Sequence, residues 1–265
     1  MSLHTTRLGL MFQALAGRPA FIPFFTAGDP DPATSLEILR AVADAGADAI
    51  EVGVPFSDPM ADGPAIQESS QRALIHHITM EGVFHLVREF RKTHQTPLVA
   101  MTYYNPALQY GLERFAQNAK AAGIDGAILT DLTPEEAEPW KRIADAAEFD
   151  TIFLLAPTST PERMELVARL SSGFLYCIST LGVTGMRDTV WEGLPDLVAR
   201  IRTHTDGPVC VGFGISTRAH VETVGMVADG VIVGSAMVKA VQENLGHADL
   251  PQRVAAKARE LSGKS

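Results

Sequence analysis

The residues best suited to chemistry are two carboxylates at one predicted strand end. Glu51 lies near the end of a short apolar run at positions 48–53, and a proline-containing segment follows it. Such a run is typical of a buried strand. Asp62 comes later in the same loop. Two carboxylates at the mouth of a buried strand can act as an acid/base pair.

Simpler interpretations exist for these acids. A carboxylate at the end of a strand can cap the next helix or pair with an arginine, and Glu51 fits that description. Asp58 and Asp62 can be turn formers in a loop rich in proline and glycine. The turn interpretation suits Asp58 better than Asp62.

Glycines mark the ends of the last two predicted strands. Gly212 and Gly214 flank Phe213, and Gly234 precedes Ser235. Glycine leaves backbone N–H groups open to a ligand, and the N-terminus of a following helix favours an anion. Either segment alone would suggest a tight turn into a helix. Together, after strands seven and eight, they favour a phosphate site.

A long loop at positions 180–189 follows the sixth predicted strand. Its two glycines, Gly182 and Gly185, suit a mobile lid that excludes water. An ordinary exposed loop would have the same glycine content, so both interpretations stay open.

The remaining residues narrow the reaction class. None of the six lysines ends a predicted strand, which disfavours a Schiff-base mechanism. The eight histidines lack the spacing of metal ligands, which disfavours a metal site. Acid/base chemistry by carboxylates on a phosphorylated substrate remains. The rest of that substrate should be flat and apolar, because aromatic residues lie near strand ends: Phe24, Tyr103, Tyr176 and Phe213.

Eight short apolar runs, each followed by a helical stretch, must position these residues. They are apolar on both faces, as expected of parallel strands covered by helices. The pattern predicts one α/β domain over residues 1–265, a (β/α)8 TIM barrel. A doubly wound open sheet is the alternative, disfavoured because no glycine-rich dinucleotide turn follows the first strand. The predicted strands are Ala20–Phe25, Ala49–Gly53, Leu98–Thr102, Ala127–Asp131, Thr151–Ala156, Phe174–Ser179, Val209–Phe213 and Val231–Gly234.

An extra segment, Arg7–Ala16, precedes the first strand. Its apolar residues fall on one helical face. We expect an extra N-terminal helix that plugs the amino-terminal mouth of the barrel. An amphipathic surface helix would show nearly the same pattern.

Composition restricts the partners and the compartment. The net charge of −9 makes nucleic acid and anionic membranes poor partners. Cys177 and Cys210 lie in apolar runs and are expected to be buried thiols, as in a reducing cytoplasm. The sequence shows neither a signal-peptide core at the N-terminus nor an apolar stretch long enough to span a membrane.

Taken together, these motifs resemble the tryptophan synthase alpha chain family. The resemblance runs from about Arg7 to the C-terminal helix, and the segment Glu51–Gln67 is its most specific part. It implies cleavage of indole-3-glycerol phosphate to indole and glyceraldehyde 3-phosphate, a retro-aldol reaction of L-tryptophan biosynthesis. The matching motifs are Pro23-Phe24, Ala27-Gly28-Asp29-Pro30, Glu51–Gln67, Tyr103-Tyr104-Asn105-Pro106, Gly182-Val183-Thr184-Gly185, Gly212-Phe213-Gly214-Ile215-Ser216 and Gly234-Ser235-Ala236.

The resemblance also implies residue roles. Glu51 would protonate C3 of the indole ring and help to remove the glycerol hydroxyl proton. Asp62 would accept a hydrogen bond from the indole N–H and stabilise its developing positive charge. Tyr176 would position Glu51, and Thr184 on the closing loop would support Asp62. The residues expected around the phosphate are Gly185, Phe213, Gly214, Gly234 and Ser235.

The family works with a beta chain in an alpha2-beta2 tetramer. The beta chain carries pyridoxal phosphate and receives indole through a tunnel, so no cofactor is expected in this chain. Asp58 would belong to the surface that faces the beta chain. This sequence departs from the family pattern at His77, near a position where relatives usually have glycine. That departure bears on partner contact more than on chemistry.

Two rival functions remain. One is another phosphate-binding barrel enzyme, such as the synthase that makes indole-3-glycerol phosphate. That synthase uses a strand-end lysine as its acid, which this chain lacks. The other is a non-catalytic regulator of a beta chain, and the presence of both Glu51 and Asp62 argues against it.

Overall fold

Eight parallel strands form a closed barrel in which each strand pairs with the next and β8 pairs with β1. The computed structural model describes residues 6–179, 190–212 and 214–264. The closed order confirms the predicted (β/α)8 barrel over the open-sheet alternative. The strands are β1 (Ala20–Thr26), β2 (Ile50–Gly53), β3 (Leu98–Thr102), β4 (Gly126–Leu129), β5 (Asp150–Leu155), β6 (Leu175–Ile178), β7 (Val209–Gly212) and β8 (Gly230–Val233).

Every predicted strand overlaps an observed strand, and no end differs by more than two residues. The largest difference is in the fourth strand, which ends at Leu129 rather than at Asp131. The carboxylate of Asp131 accepts the backbone N–H of Tyr104 at 2.6 Å, so this residue belongs to the turn. Phe213, the predicted end of strand seven, lies outside the described residues.

Helices cover the outside of the barrel. A large apolar layer separates them from the strands, with Phe84, Phe115 and Trp140 buried in it. No helix in the described ranges is long and apolar enough to cross a membrane. The α-helices are α1 (Arg7–Ala14), α2 (Pro32–Asp44), α3 (Pro64–Ile75), α4 (Met80–Arg91), α5 (Tyr104–Tyr110), α6 (Leu112–Ala122), α7 (Glu138–Ala146), α8 (Pro161–Leu170), α9 (Leu194–Arg202), α10 (Arg218–Gly225), α11 (Ser235–Glu243) and α12 (Leu250–Ser262).

The first helix closes the amino-terminal mouth of the barrel, as predicted. Leu8 is fully buried among the side chains of the barrel lumen. The ring of Phe12 meets that of Phe174 edge-on, with centroids 6.1 Å apart. The hydroxyl of Thr6 donates to a carboxylate oxygen of Asp150 at 2.6 Å and fastens the start of the helix to β5. Leu8 and Phe12 thereby fill this end of the lumen with apolar side chains.

Side chains cap alternate strands at the same edge of the barrel. The polar side chains lie just before β2, β4, β6 and β8. Each one accepts a hydrogen bond from a backbone N–H near the start of the strand before it, which is β1, β3, β5 or β7. Such bonds satisfy donors that would otherwise be lost on burial. The pairs are Asp48 with Phe21, Asp125 with Leu98, Ser172 with Thr151 and Asp229 with Val209, at 2.8, 2.9, 3.0 and 2.8 Å respectively.

The departure at His77 has a structural counterpart. His77 follows the cap of α3 with a φ of 53°, a left-handed conformation that favours glycine. Its N–H bonds to the carbonyl of Leu74 at 2.9 Å, as expected at a helix end of this type.

We predict that His77→Gly raises the free energy of unfolding by up to about 1 kcal/mol, because a side chain is strained in this conformation. His76→Gly is the matched control, since His76 has a φ of −88° and gains nothing from glycine. Urea unfolding of both variants measures the effect. A His77→Gly variant no more stable than His76→Gly would contradict it.

Candidate active site

Alternation along β2 directs Glu51 into the barrel. Ile50 and Val52 pack in the outer apolar layer, whereas Ala49 belongs to the cluster that fills the lumen. Successive side chains of a strand point to opposite faces. Glu51 therefore faces the lumen, at the carboxyl-terminal end where barrels carry their active sites.

The carboxyl group of Glu51 is buried in the barrel. Only 1% of its surface is exposed, and its Oε1 atom has no hydrogen-bond partner within the described part of the chain. Burial raises the pKa of this carboxyl to about 8, because a charge there would lose its hydration. At neutral pH Glu51 therefore holds a proton that it can donate.

Asp62 is held by the loop that joins β2 to α3. Its N–H donates to the carbonyl of Pro59 at 3.1 Å, and the amide of Gln67 donates to its carbonyl at 2.8 Å. Burial raises the pKa of Asp62 to about 6, and a hydrogen-bonding interaction with Tyr103 opposes that rise. Asp62 is therefore mostly ionised at neutral pH.

Tyr176 lies close enough to both carboxylates to feel their charges. The Tyr176 side chain lies in the lumen and is 5% exposed. Gly212 on the neighbouring strand leaves room for the Tyr176 hydroxyl, because a Cβ atom at position 212 would clash with it. Burial raises the pKa of Tyr176 well above its ordinary value, and the charges of Glu51 and Asp62 raise it further. All three groups thus share one neighbourhood. The positioning of Glu51 by Tyr176 stays a prediction.

The predicted phosphate turns adjoin this cluster. Gly214 has a φ of 77°, which favours glycine, and Ser235 begins α11 directly after Gly234. A side-chain carbon added to Gly234 would lie 3.9 Å from both Ile66 and Phe24. Phe24 is the strand partner of Glu51 across β1 and β2. The turn at Gly234 is thus separated from the strand partner of Glu51 by a single van der Waals contact.

Some predicted residues lie outside the described part of the chain. They are Thr184 and Gly185, which carry the lid prediction together with Gly182, and Phe213 of the phosphate site.

The loop with Asp58 projects from the barrel. Asp58 is exposed and accepts a hydrogen bond from the hydroxyl of Ser57. Close by, Met60 is 90% exposed, an unusual position for a large apolar side chain. A carboxylate beside an exposed methionine suits a surface that contacts another protein.

Sequence reasoning did not predict a cavity on this face of the barrel or one of the interactions of Asp62. A cavity of about 220 Å³ opens at the carboxyl-terminal ends of β4, β5 and β6, and Thr130, Leu154 and Ile178 line it. Strand alternation could have identified them, because each follows a lumen residue by two positions. The contact between Tyr103 and Asp62 was also missed, since it joins a strand end to a separate loop.

The six lysines lie outside the strands: Lys92 directly follows α4, Lys264 follows α12, and the others lie on α6, α7, α11 and α12. Within the described ranges, no group of three or more His, Cys, Asp or Glu side chains is arranged to hold a metal ion.

The buried proton on Glu51 leads to a stability prediction. A carboxyl whose pKa rises on folding stabilises the protein below its unfolded pKa, and that stability is lost as pH rises through the folded pKa. Relative to Glu51→Gln, wild type should therefore lose about 1.4 kcal/mol per pH unit between pH 4.5 and about 8. Urea unfolding across this range measures it. Glu165→Gln, at an exposed position of α8, controls for the loss of a carboxylate. A constant difference between wild type and Glu51→Gln would contradict the prediction.

Known proteins are similar to this chain in both sequence and fold. The family model described as tryptophan synthase alpha chain matches residues 12–264. The tryptophan synthase alpha chain of Solibacter usitatus is 45% identical over 258 residues, which is 97% of each chain. A tryptophan synthase structure from Mycobacterium tuberculosis superimposes with a TM-score of 0.90 at 40% identity, covering 98% of each chain. A chain from the tryptophan synthase a2b2 complex of Pyrococcus furiosus gives 0.85 at 41% identity, covering 93% of this chain and 98% of that one.

The match covers nearly the whole barrel, including the strand that carries Glu51 and the loop that carries Asp62. The relatives agree in name and in extent with the resemblance seen in the motifs. The chain belongs to the tryptophan synthase alpha chain family.

Proposed function

We propose that this chain cleaves indole-3-glycerol phosphate with Glu51 as the acid and Asp62 as the counter-ion. Family membership makes it a lyase of L-tryptophan biosynthesis, and the products are indole and glyceraldehyde 3-phosphate. One observation carries the residue assignment. Two buried carboxyl groups at one barrel mouth have pKa values on opposite sides of neutrality, about 8 for Glu51 and about 6 for Asp62.

The reaction needs both protonation states. Glu51 gives its proton to C3 of the indole ring, and the positive charge that develops on the ring nitrogen is stabilised by the Asp62 carboxylate. Glu51, now ionised, accepts the proton of the adjacent glycerol hydroxyl. The carbon–carbon bond breaks, its electron pair returns to the indole ring, and the hydroxyl carbon becomes the aldehyde. Glu51 ends the cycle protonated.

The surrounding residues fit the two halves of the substrate. The indole ring is flat and apolar, and Phe24, Tyr103 and Tyr176 are buried aromatic residues near Glu51 and Asp62. The phosphate would lie at Gly214, Gly234 and Ser235, where a helix N-terminus favours an anion. Thr184 would support Asp62, and Gly185 and Phe213 would complete the phosphate site.

A beta chain is the proposed partner. The P. furiosus relative was solved in a tryptophan synthase a2b2 complex, and this chain assembles in the same way. Pyridoxal phosphate would be held by the beta chain, and Asp58, with the exposed loop around it, would face that chain. We also propose that residues 1–265 act as one barrel domain and that the enzyme works in the cytoplasm.

The main test is the pH dependence of cleavage. Since Asp62 must be ionised and Glu51 protonated, kcat/KM should follow a bell with limbs at about 6 and about 8. Glu51→Gln should lower indole formation by at least about 10²-fold, because it removes the proton donor but keeps the shape. Glu165→Gln should keep full activity.

Indole release by the isolated chain also separates an enzyme from a non-catalytic regulator of the beta chain. Near-normal activity of Glu51→Gln would rule out the acid assignment. A wild-type chain that binds the beta chain but releases no indole would favour the regulator.

The phosphate site can be tested without turnover. Inorganic phosphate added to ¹⁵N-labelled protein should shift the backbone amide signals of Gly214, Gly234 and Ser235, because their N–H groups would contact the anion. Gly17 and Gly246 are left-handed glycines elsewhere in the fold and serve as controls. Shifts confined to lysine and arginine side chains would contradict the assignment.

A further inference from the structure

The hydroxyl of Tyr103 connects the end of β3 to the loop that carries Asp62. It accepts the backbone N–H of Ala61, the residue before Asp62, at 2.8 Å. The ring of Tyr103 packs against Phe56 in the same loop, with centroids 5.2 Å apart. Tyr103 is 7% exposed, so water competes poorly for these contacts. One side chain thus holds the loop at two points.

This arrangement also decides where the phenol proton points. A tyrosine hydroxyl has one proton to donate. Because Ala61 donates to the oxygen, that proton is free to serve another acceptor. The Asp62 carboxylate is the neighbouring acceptor, since it belongs to the residue after Ala61, and the phenol of Tyr103 lowers its pKa.

The backbone at Tyr103 is itself well supported. The N–H of the next residue, Tyr104, bonds to the Asp131 carboxylate at 2.6 Å. The carbonyl of the preceding residue, Thr102, accepts both the N–H and the hydroxyl of Thr130, at 2.9 and 3.2 Å. The phenol therefore projects from a fixed point on the barrel rather than from a loose loop.

We propose that Tyr103 is a positioning residue for the reaction: its hydroxyl ties Ala61 to the barrel and directs a proton to Asp62, which sets the carboxylate before substrate binds. The inference rests on the proposed function only for its effect on turnover. It assigns Tyr103 a role apart from contact with the indole ring.

The proposal makes Asp62 dependent on Tyr103 for its charge. A hydrogen bond to the ionised form favours that form, so Tyr103 lowers the pKa of Asp62 against the effect of burial. Among the described residues, the other titratable groups around this pair are acids and phenols: Glu51 on β2, Asp131 after β4 and Tyr176 on β6. Each of these groups becomes negative when it ionises. In that form it repels the Asp62 carboxylate and cannot stabilise its charge as Tyr103 does.

The experiment compares Tyr103→Phe with wild type across the pH range. The acid limb of kcat/KM should move upward by about one pH unit, because the ionised Asp62 loses a donor. Activity near pH 5.5 should fall about sixfold further than activity near pH 7.5. Tyr104→Phe is the matched control, since that ring packs against the outer apolar layer and its hydroxyl loss should leave the limb in place.

A second measurement does not depend on turnover. The ¹³C signal of the Asp62 carboxyl should titrate at higher pH in Tyr103→Phe than in wild type. If wild type releases no indole, the proposed function fails while this titration still decides the role of Tyr103. Should Tyr103→Phe fail to fold, 3-fluorotyrosine at position 103 replaces it: the stronger donor should move the Asp62 titration to lower pH. A loss of activity equal at every pH, or an unchanged Asp62 titration, would overturn the proposal.

Discussion

Closure of the parallel sheet into a barrel is the constraint on which the rest of the structure depends. Closure gives every strand an inner and an outer face, and the inner face is filled by side chains rather than water. Helix α1 packs apolar side chains into the amino-terminal mouth. A carboxyl group on the inner face therefore loses its hydration, and Glu51 holds its proton for that reason.

The difference between the two acids follows from their places in this barrel. Glu51 is part of a strand, and within the described residues its Oε1 atom has no hydrogen-bond partner to offset its burial. Asp62 lies on a loop, where Tyr103 favours its charged form. The same fold thus keeps one carboxyl neutral and the other ionised near pH 7, which is the separation that acid catalysis with charge stabilisation needs.

Helix α3 helps to fix the position of the loop that carries Asp62. It begins just after Asp62 and is clamped to the β1 loop by Arg72, whose guanidinium bonds both carboxylate oxygens of Asp29 at 2.7 and 2.9 Å. Asp29 is 5% exposed, so the pair is a buried anchor rather than a surface ion pair. The far end of the same helix holds His77 in a left-handed conformation. Asp62 is therefore held by Tyr103 on one side and by an anchored helix on the other.

The sequence by itself determined the class of fold and the principal acids. Eight apolar runs alternating with helices indicate a parallel barrel, and Glu51, Asp62 and the glycine turns mark its functional end. It also indicated a position near His77 where glycine is favoured. These features are local, because they depend on residue type, spacing and the conformation that each residue tolerates.

Only the tertiary structure decided the protonation states and the surroundings of those residues. The pKa of Glu51 depends on side chains from distant strands that exclude water, and that of Asp62 depends on a phenol from β3. Thr130, Leu154 and Ile178 line a cavity only because three strand ends converge. The sequence could not specify these effects, since desolvation and hydrogen bonding act through space between residues far apart in the chain.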